Sequence, residues 1–306
     1  MTFDLLLSPA GLGLLGLLVG SFLNVVVHRL PRMLERQWWG DAAHQMADDD
    51  SHQRVFGDPL PAGQQDVAQA LVARLDALPA LGLARPSSRC PSCGHPIRWF
   101  ENIPVISWLV LRGRCSACRA AIGLRYPFVE VLCAALFAAV GWHLGATPQA
   151  LLGCAFVATL LALSLIDWDT TVLPDGLTLP LLWAGLAAAA LGWTSQTPAQ
   201  AIVGAAAGYL SLWSVYWFFK LATGKEGMGY GDFKLLAAIG AWLGWQAILP
   251  VVLISSIIGA AVGIGMKVMS QLREGRYVPF GPFLAGGGVA VMLLGPERVM
   301  AWLGWH

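Results

Sequence analysis

Long runs of uncharged apolar residues are the feature that most restricts the fold of this 306-residue chain. Such a run, when it has about 17 residues or more, can cross the hydrocarbon layer of a bilayer, which is about 30 Å thick. The composition agrees, because 57% of the residues are hydrophobic, 12% are charged and the mean hydropathy is +0.62. These values indicate an all-α integral membrane protein.

The apolar runs predict eight transmembrane helices. The run 235–266 has 32 residues without a charge, and a single helix of that length would extend about 48 Å. Because this exceeds the bilayer, we expect Gly244 to Pro250 to divide the run into two short spans. The other six runs are 5–27, 131–145 (starting near Tyr126), 150–166, 177–193, 201–219 and 283–303.

The basic residues predict the orientation, because Lys and Arg are retained in cytoplasmic loops. With the N-terminus outside, the segments 28–125, 220–234 and 267–276 are cytoplasmic. They hold 12, 3 and 3 of the 19 basic residues, which leaves only Arg298 elsewhere. The predicted organisation is a first transmembrane helix at 1–27, a cytoplasmic insertion at 28–125, and a seven-helix membrane catalytic domain at 126–306.

Two Cys-x-x-Cys pairs lie in the second half of the insertion, within residues 86–125, where they predict a zinc-ribbon-like module. Four thiolates at this spacing suit tetrahedral Zn²⁺. Disulfides or free thiols are the alternative, but stable disulfides are rare in a reducing compartment. With four protein ligands the site would be structural. The predicted ligands are Cys90, Cys93, Cys115 and Cys118, whereas Cys133 and Cys154 are expected to be small buried hydrophobes.

Asp167 and Asp232 lie at the ends of apolar runs and are separated by two further runs, which predicts that both lie at one membrane face. Two nearby carboxylates that share a proton can hydrolyse a peptide bond. Helix capping is the alternative role for both. We expect Asp175 to cap the fourth span, and Asp169 either to support Asp167 or to be solvated.

Glycines alternate with other residues before Asp232, at positions 227, 229 and 231. Glycine adopts backbone conformations closed to other residues and allows a neighbouring chain to approach closely. A substrate peptide could pair there in extended form. Gly227, Gly229, Gly231 and Lys234 are therefore the predicted substrate-binding residues.

Several motifs resemble bacterial prepilin peptidases (type IV leader peptidases), which belong to the Gly-x-Gly-Asp intramembrane aspartyl proteases. The resemblance runs from about residue 12 to 285 and is weakest in 40–85. It rests on Lys225-Glu-Gly-Met-Gly-Tyr-Gly-Asp-Phe-Lys234, Gly20-Ser-Phe-Leu-Asn-Val-Val-Val-His-Arg-Leu-Pro31, both Cys pairs, Glu101-Asn-Ile-Pro104, Arg125-Tyr-Pro127 with Glu130, and Pro279-Phe-Gly-Pro282.

The resemblance implies an eight-span inner-membrane enzyme that removes the basic leader of prepilins and type II secretion pseudopilins on the cytoplasmic side, after a glycine. It also implies methylation of the new N-terminal amine, usually of a phenylalanine, with S-adenosylmethionine as methyl donor. By motif, the catalytic pair falls on Asp167 and Asp232. The expected partners are these substrates and the lipid bilayer, with no nucleic acid.

The methyl-transfer residues are weakly defined, because no Gly-x-Gly-x-x-Gly motif follows a strand pattern. By resemblance, the candidates are Gly20, Asn24, Arg29, Glu101 and the cysteine module. Asn24 could equally form a hydrogen bond between helices, which is the commoner use of an amide in a membrane bundle.

Two other functions are compatible with this composition. A transporter would carry carboxylates near mid-span and related halves of the bundle, and the sequence shows neither. A zinc-dependent assembly scaffold would use the aspartates only as caps and would tolerate Asp232→Asn. Oligomeric state stays open.

Overall fold

The computed structural model of the chain describes residues 5–269 and 278–304. Its regular structure is helical, and these described residues form no β-strand beyond two isolated β-bridges. The all-α prediction is therefore confirmed. The helices are α1 (Pro9–Ala47), α2 (Asp49–Phe56), α3 (Gln64–Asp76), α4 (Ile106–Val110), α5 (Arg125–Leu144), α6 (Pro148–Thr170), α7 (Asp175–Ala190), α8 (Pro198–Thr223), α9 (Tyr230–Leu243), α10 (Ile248–Val268), α11 (Gly281–Leu294) and α12 (Pro296–Trp302), with 3₁₀ turns at Trp99–Asn102 and Trp245–Ala247.

Five helical segments of the described chain are long and apolar enough to cross a membrane, namely α1, α5, α6, α8 and Trp245–Val268. A sixth span is possible if α11 and α12, which are bent by 108° at their junction, count as one. The prediction of eight spans is not confirmed, because α7 has 16 residues and α9 has 14. Arg273 and Arg276, used for the predicted orientation, lie outside the described residues.

The predicted break in the apolar run 235–266 is confirmed, and it begins at Gly244, the first residue of the segment where it was expected. Helix α9 ends at Leu243, and Gly244 follows with a φ of 80°, a conformation that glycine adopts without strain. A 3₁₀ turn then leads into α10.

Helix α1 continues without a break from the first apolar run into the insertion, and it has 39 residues in all. Residue 27 is therefore not the end of a helix. Two arginines of this extension fix it to the chain that follows α3, since Arg29 Nη1 donates to the Gly82 carbonyl at 2.9 Å and Arg36 Nη1 to the Pro79 carbonyl at 2.8 Å.

Glycines set the close packing of the apolar helices. A Cβ on Gly16 or Gly20 of α1 would overlap the backbone of α5, and a Cβ on Gly204 or Gly208 of α8 would overlap the backbone of α9. Such contacts between small residues are typical of helices in membranes, where backbones must approach closely to gain packing energy. They hold α1 on α5 and α9 on α8.

Helix α9 is also fixed to α7, because the buried Trp242 Nε1 donates to the Leu181 carbonyl at 2.8 Å. The chain leaves α6, passes along α7, returns along α8 and enters α9. The end of α6 and the start of α9 consequently lie at the same end of the bundle, where the two aspartates are found.

Candidate active site

Asp167 lies in the last turn of α6 and is buried. Helix α6 ends at Thr170, and Thr171 follows in the left-handed conformation with a φ of 55°, its N–H donating to the Asp167 carbonyl at 2.8 Å. The carboxylate itself accepts a hydrogen bond from a distant part of the chain, because the Gly281 N–H donates to Asp167 Oδ2 at 3.0 Å.

Asp232 lies in the first turn of α9 and is also buried. The helix begins after Gly229, whose carbonyl accepts the Asp232 N–H at 3.2 Å. Near a helix N-terminus the unpaired N–H groups favour a negative charge. These groups therefore offset part of the cost of removing the Asp232 carboxylate from water.

The structure brings the two aspartates together. The Leu173 side chain packs against both Gly281, which binds Asp167, and Gly231, which precedes Asp232. The two carboxylates are close enough to interact electrostatically. The two aspartates therefore lie at one end of the bundle, and the expectation that both lie at one membrane face stays a prediction.

The two neighbouring aspartates have cationic partners. Arg125 donates to both carboxylate oxygens of Asp169, at 2.9 and 2.6 Å, and Lys234 Nζ donates to both oxygens of Asp175, at 2.7 and 2.8 Å. Neither Asp167 nor Asp232 forms a salt bridge with another described residue. Of the four, only these two combine burial with the absence of a cation in the described chain.

The capping role predicted for Asp175 is wrong. Asp175 is the first residue of α7 rather than its cap, and its side chain makes no capping hydrogen bond. It binds Lys234 instead, which joins the start of α7 to the start of α9. Lys234, predicted to bind substrate, thus has an intramolecular partner.

The glycines before Asp232 act differently from the conformational role predicted for them. None of Gly227, Gly229 and Gly231 has a positive φ. A Cβ on Gly231 would lie 2.8 Å from Leu173 Cβ, and one on Gly227 would lie 3.0 Å from the Phe219 ring. Only Gly229 has free space, since the nearest atom to its Cβ position is Asp232 Oδ2 at 4.0 Å.

An ion pair holds the loop that carries these glycines. Lys220 Nζ lies 2.8 Å from Glu226 Oε1 and donates to the Tyr216 hydroxyl at 3.1 Å. The Lys220 ammonium lowers the pKa of Glu226, which keeps this carboxylate charged. The loop between α8 and α9 is therefore fixed to the last two turns of α8.

Gly281 was not identified as a site residue from the sequence. Its N–H contacts Asp167, and a Cβ at this position would lie 2.5 Å from Asp167 Oδ2. The only signal was its place in the string Pro279-Phe-Gly-Pro282. Nothing local in that string indicates a contact with a residue 114 positions away.

The four predicted metal ligands form one cluster. The Sγ atoms of Cys90, Cys93, Cys115 and Cys118 all lie within 4.8 Å of one another, and the Cys90 and Cys118 sulfurs are 3.8 Å apart. Four thiolates about 2.3 Å from a tetrahedral Zn²⁺ would have sulfurs about 3.8 Å apart. The cluster therefore fits a metal ion of this kind.

The two cysteine pairs lie in turns with the same backbone conformation. In the first, the Gly94 N–H donates to the Cys90 carbonyl at 2.9 Å, and in the second the Arg119 N–H donates to the Cys115 carbonyl at 3.1 Å. Gly94 and Arg119 have positive φ values of 72° and 62°. Hydrogen bonds from the backbone of Cys93 and Ser92 lower the pKa of Cys90 to about 6, which favours the thiolate that binds metal.

The four candidates for methyl transfer each contact a different part of the described chain. Gly20 packs against Glu130 of α5, and Asn24 Nδ2 donates to the Tyr126 carbonyl at 3.2 Å, a contact between α1 and α5. Arg29 binds the Gly82 carbonyl. Glu101 accepts the Arg98 N–H at 2.9 Å and lies 3.4 Å from His95 beside the first cysteine pair.

Comparison with known proteins assigns two regions of the chain. Residues 14–144 match the Bacterial Peptidase A24 N-terminal domain, and residues 154–264 match the Type IV leader peptidase family. Three similar proteins carry the name prepilin leader peptidase/N-methyltransferase. That of Stutzerimonas stutzeri is 49% identical over 94% of this chain and 91% of its own length, that of Pseudomonas putida 50% over 92% and 89%, and that of Aeromonas hydrophila 47% over 94% and 91%. No solved structure matches the chain significantly.

Proposed function

Because the chain belongs to the type IV leader peptidase family, we propose that it removes the leader peptides of type IV prepilins and type II secretion pseudopilins and methylates the new N-terminus. The name of the similar proteins supports both activities. The observation that carries the peptidase is the pair of buried aspartates without a salt bridge in the described chain, Asp167 and Asp232.

Asp167 and Asp232 are the proposed catalytic pair and share one proton. The ionised carboxylate takes a proton from the water that attacks the scissile carbonyl carbon, while the protonated carboxyl donates to the carbonyl oxygen. The tetrahedral adduct then collapses, the C–N bond breaks, and the leaving amine receives a proton from the pair. The Gly281 N–H orients Asp167 throughout.

The leader junction is proposed to lie extended beside the loop between α8 and α9. Open space at Gly229, 4.0 Å from Asp232 Oδ2, supports this position. Gly227 and Gly231 would contribute by leaving room for Phe219 and Leu173 on the other side of the loop. Lys234 would act on the substrate only through Asp175, which it binds.

The enzyme is proposed to lie in the bacterial inner membrane with eight spans. The short helices α7 and α9, together with α11, would complete the five long ones. The concentration of basic residues in three segments supports a periplasmic N-terminus and an active site at the cytoplasmic face. The proposed division remains a first membrane span within 1–27, the insertion 28–125, into which helix α1 continues, and the catalytic domain 126–306.

The cysteine cluster is proposed to hold a structural Zn²⁺. Its four sulfurs would fill a tetrahedral shell, so the ion would order the insertion and leave no position for water. Disulfides or free thiols are the alternative, and the convergence of all four sulfurs on one centre favours the metal.

Methyl transfer is proposed from the name of the similar proteins, with S-adenosylmethionine as methyl donor. That donor supplies an electrophilic methyl group to the N-terminal amine. Gly20, Asn24, Arg29 and Glu101 stay candidates, and their separate contacts assign none of them a step.

Mass spectrometry of a prepilin tests the whole proposal. The substrate is incubated with the purified protein in detergent, with and without S-adenosylmethionine. We expect loss of the leader in both samples, and one added methyl group on the mature pilin only when the donor is present. An intact substrate in both would contradict the peptidase, and cleavage without methylation would contradict only the second activity.

A further inference from the structure

The insertion contains a short helix whose polar and apolar sides are reversed with respect to water. In α4 the Ser107 side chain is buried, where its hydroxyl donates to the Phe100 carbonyl at 2.7 Å and accepts the Ile103 N–H at 3.0 Å. The exposed side carries Ile106, Leu109 and Val110. In water this arrangement is unfavourable, because the large apolar side chains stay exposed to solvent and the hydrophobic free energy of burying them is not gained.

The 3₁₀ turn before α4 extends the same exposed surface. Trp99 is 80% exposed, and Val110 at the other end is 75% exposed. The Ser107–Phe100 hydrogen bond holds the turn and the helix together. We call the exposed side chains of this unit the apolar face, which consists of Trp99, Phe100, Ile103, Ile106, Leu109 and Val110.

The apolar face is attached to the beginning of a membrane-spanning helix. The Val105 N–H donates to Glu130 Oε2 at 2.7 Å, and Glu130 is buried in α5. Glu130 lies five residues after Arg125, which is about 7.5 Å along the helix axis. Because Val105 immediately precedes α4, the apolar face lies near the level at which α5 enters the bilayer.

The backbone at this attachment is strained. Val105 has a φ of 60°, which is rare for a β-branched residue. Strain of this kind persists only where the surroundings hold it. Here the hydrogen bond to Glu130 and the indole of Trp108, which donates to the Ile122 carbonyl at 3.2 Å, hold it. The start of α4, which carries part of the apolar face, is thus tied to α5 through Val105.

Positive charge surrounds the apolar face. Residues 86–125 contain six arginines and one acidic residue, Glu101. Five of these arginines are exposed and form no salt bridge with another described residue, namely Arg89, Arg98, Arg112, Arg114 and Arg119. Clusters of this kind attract anionic lipid headgroups at a membrane surface.

We propose that the apolar face is a membrane-docking surface, which inserts into the lipid interface of the bilayer that α5 spans. Tryptophan at its edge suits the headgroup level, and apolar residues with flanking arginines are typical of segments that lie in that interface. The proposal rests on α5 being a span, and it adds a second, peripheral attachment of the insertion to the membrane.

Photo-crosslinking to lipid tests this directly. The full-length protein is reconstituted in nanodiscs of phosphatidylethanolamine and phosphatidylglycerol, with p-benzoylphenylalanine replacing one residue at a time. Leu109 tests the apolar face. Phe128, which is 64% exposed on α5, is the positive control, and Val67, which is 63% exposed on α3, is the matched control within the insertion.

We expect lipid adducts at Leu109 at a yield close to that at Phe128 and an order of magnitude above that at Val67. Equal, low lipid yields at Leu109 and Val67 would overturn the proposal, as would crosslinks from Leu109 to a protein chain. If Phe128 also failed, the placement of α5 in the membrane would be wrong. The pair Arg112→Gln and Arg114→Gln should lower the Leu109 yield several-fold, and an unchanged yield would contradict the role of the arginines.

Discussion

Four aspartates lie near one end of the bundle, and their partners separate them into two classes. Asp169 and Asp175 form ion pairs with Arg125 and Lys234. Asp167 and Asp232 are buried and have no salt bridge in the described chain. A carboxylate neutralised by a cation is a poor proton acceptor, whereas two carboxylates close together can share a proton.

Replacing either of the two buried aspartates, Asp167 or Asp232, should abolish cleavage. We expect Asp167→Asn and Asp232→Asn each to lower the rate of leader removal by at least about 10²-fold, because general acid–base catalysis contributes about that much. The rate is measured by mass spectrometry on a prepilin. Asp169→Asn and Asp175→Asn are the controls and should keep most of the activity. Full cleavage by the Asp167→Asn or the Asp232→Asn protein would contradict the aspartyl mechanism.

Gly281 should be nearly as sensitive as the aspartates. Gly281→Ala places a Cβ against Asp167 Oδ2, and the carboxylate must move away from the amide that orients it. A displacement of about 1 Å can cost about 10²-fold in rate. Gly286→Ala is the matched control, because it lies on the same helix α11 and its Cβ would meet nothing within 4 Å. Equal rates for the two variants would remove Gly281 from the site.

At the scale of elements, the loop between α8 and α9 contains one glycine that is proposed to contact the substrate and another that packs inside the protein. The sequence predicted one role for its glycines, but the structure gives them different neighbours. Gly231 packs on Leu173, and Gly229 faces open space with a φ of −84° that any residue adopts. Comparing substitutions at Gly229 and Gly231 therefore distinguishes an effect on substrate binding from an effect on packing.

We expect Gly229→Val to reduce cleavage strongly while leaving thermal stability nearly unchanged, because its Cβ would meet no protein atom closer than 4.0 Å and the side chain would occupy the space proposed for the substrate. Gly231→Val should reduce both, since its side chain overlaps Leu173. Thermal unfolding in detergent and the cleavage rate are measured for both variants. Near-normal cleavage by Gly229→Val would mean that the leader does not lie along this loop.

The cysteine module is the other element whose role can be measured separately. One Zn²⁺ per chain is expected by metal analysis of gently purified protein. Because the four ligands order together, Cys93→Ser should lose the metal and loosen the whole module, rather than weaken one bond. Ser92→Ala, in the same turn, should retain the metal. Full zinc content in the Cys93→Ser protein would argue against this ligand set.

At the scale of the whole molecule, the apolar runs of the sequence correctly placed the helices but not their lengths. Hydropathy identifies a run, but the end of a helix depends on local geometry, as at Gly244, where a positive φ ends α9. The family resemblance is confirmed, and the Asp pair could be named from motifs. The Gly281 contact with Asp167 could not, because it joins residues that only the tertiary packing brings together.

The ion pairs of Asp169 and Asp175 were also beyond prediction. Arg125 is 44 residues from Asp169, and Lys234 is 59 residues from Asp175. Capping is a local property that a sequence indicates, whereas these pairs depend on which helix ends meet. The positions of the four cysteines, in contrast, were predictable because metal-binding turns have a fixed local spacing.

The short helices α7 and α9 have a consequence for the lipid around the protein. With 16 and 14 residues, they extend about 24 and 21 Å, less than the hydrocarbon thickness of about 30 Å. Helix α9 is buried among the other helices, but if α7 crosses the bilayer as proposed, the lipid beside α7 must thin, at a cost that increases with each ångström of mismatch. We expect cleavage to be faster in nanodiscs of short-chain than of long-chain phosphatidylcholine, with equal rates in detergent as the control. A rate independent of acyl-chain length would contradict this. If the dependence is found, bilayer thickness itself regulates how fast pilins mature.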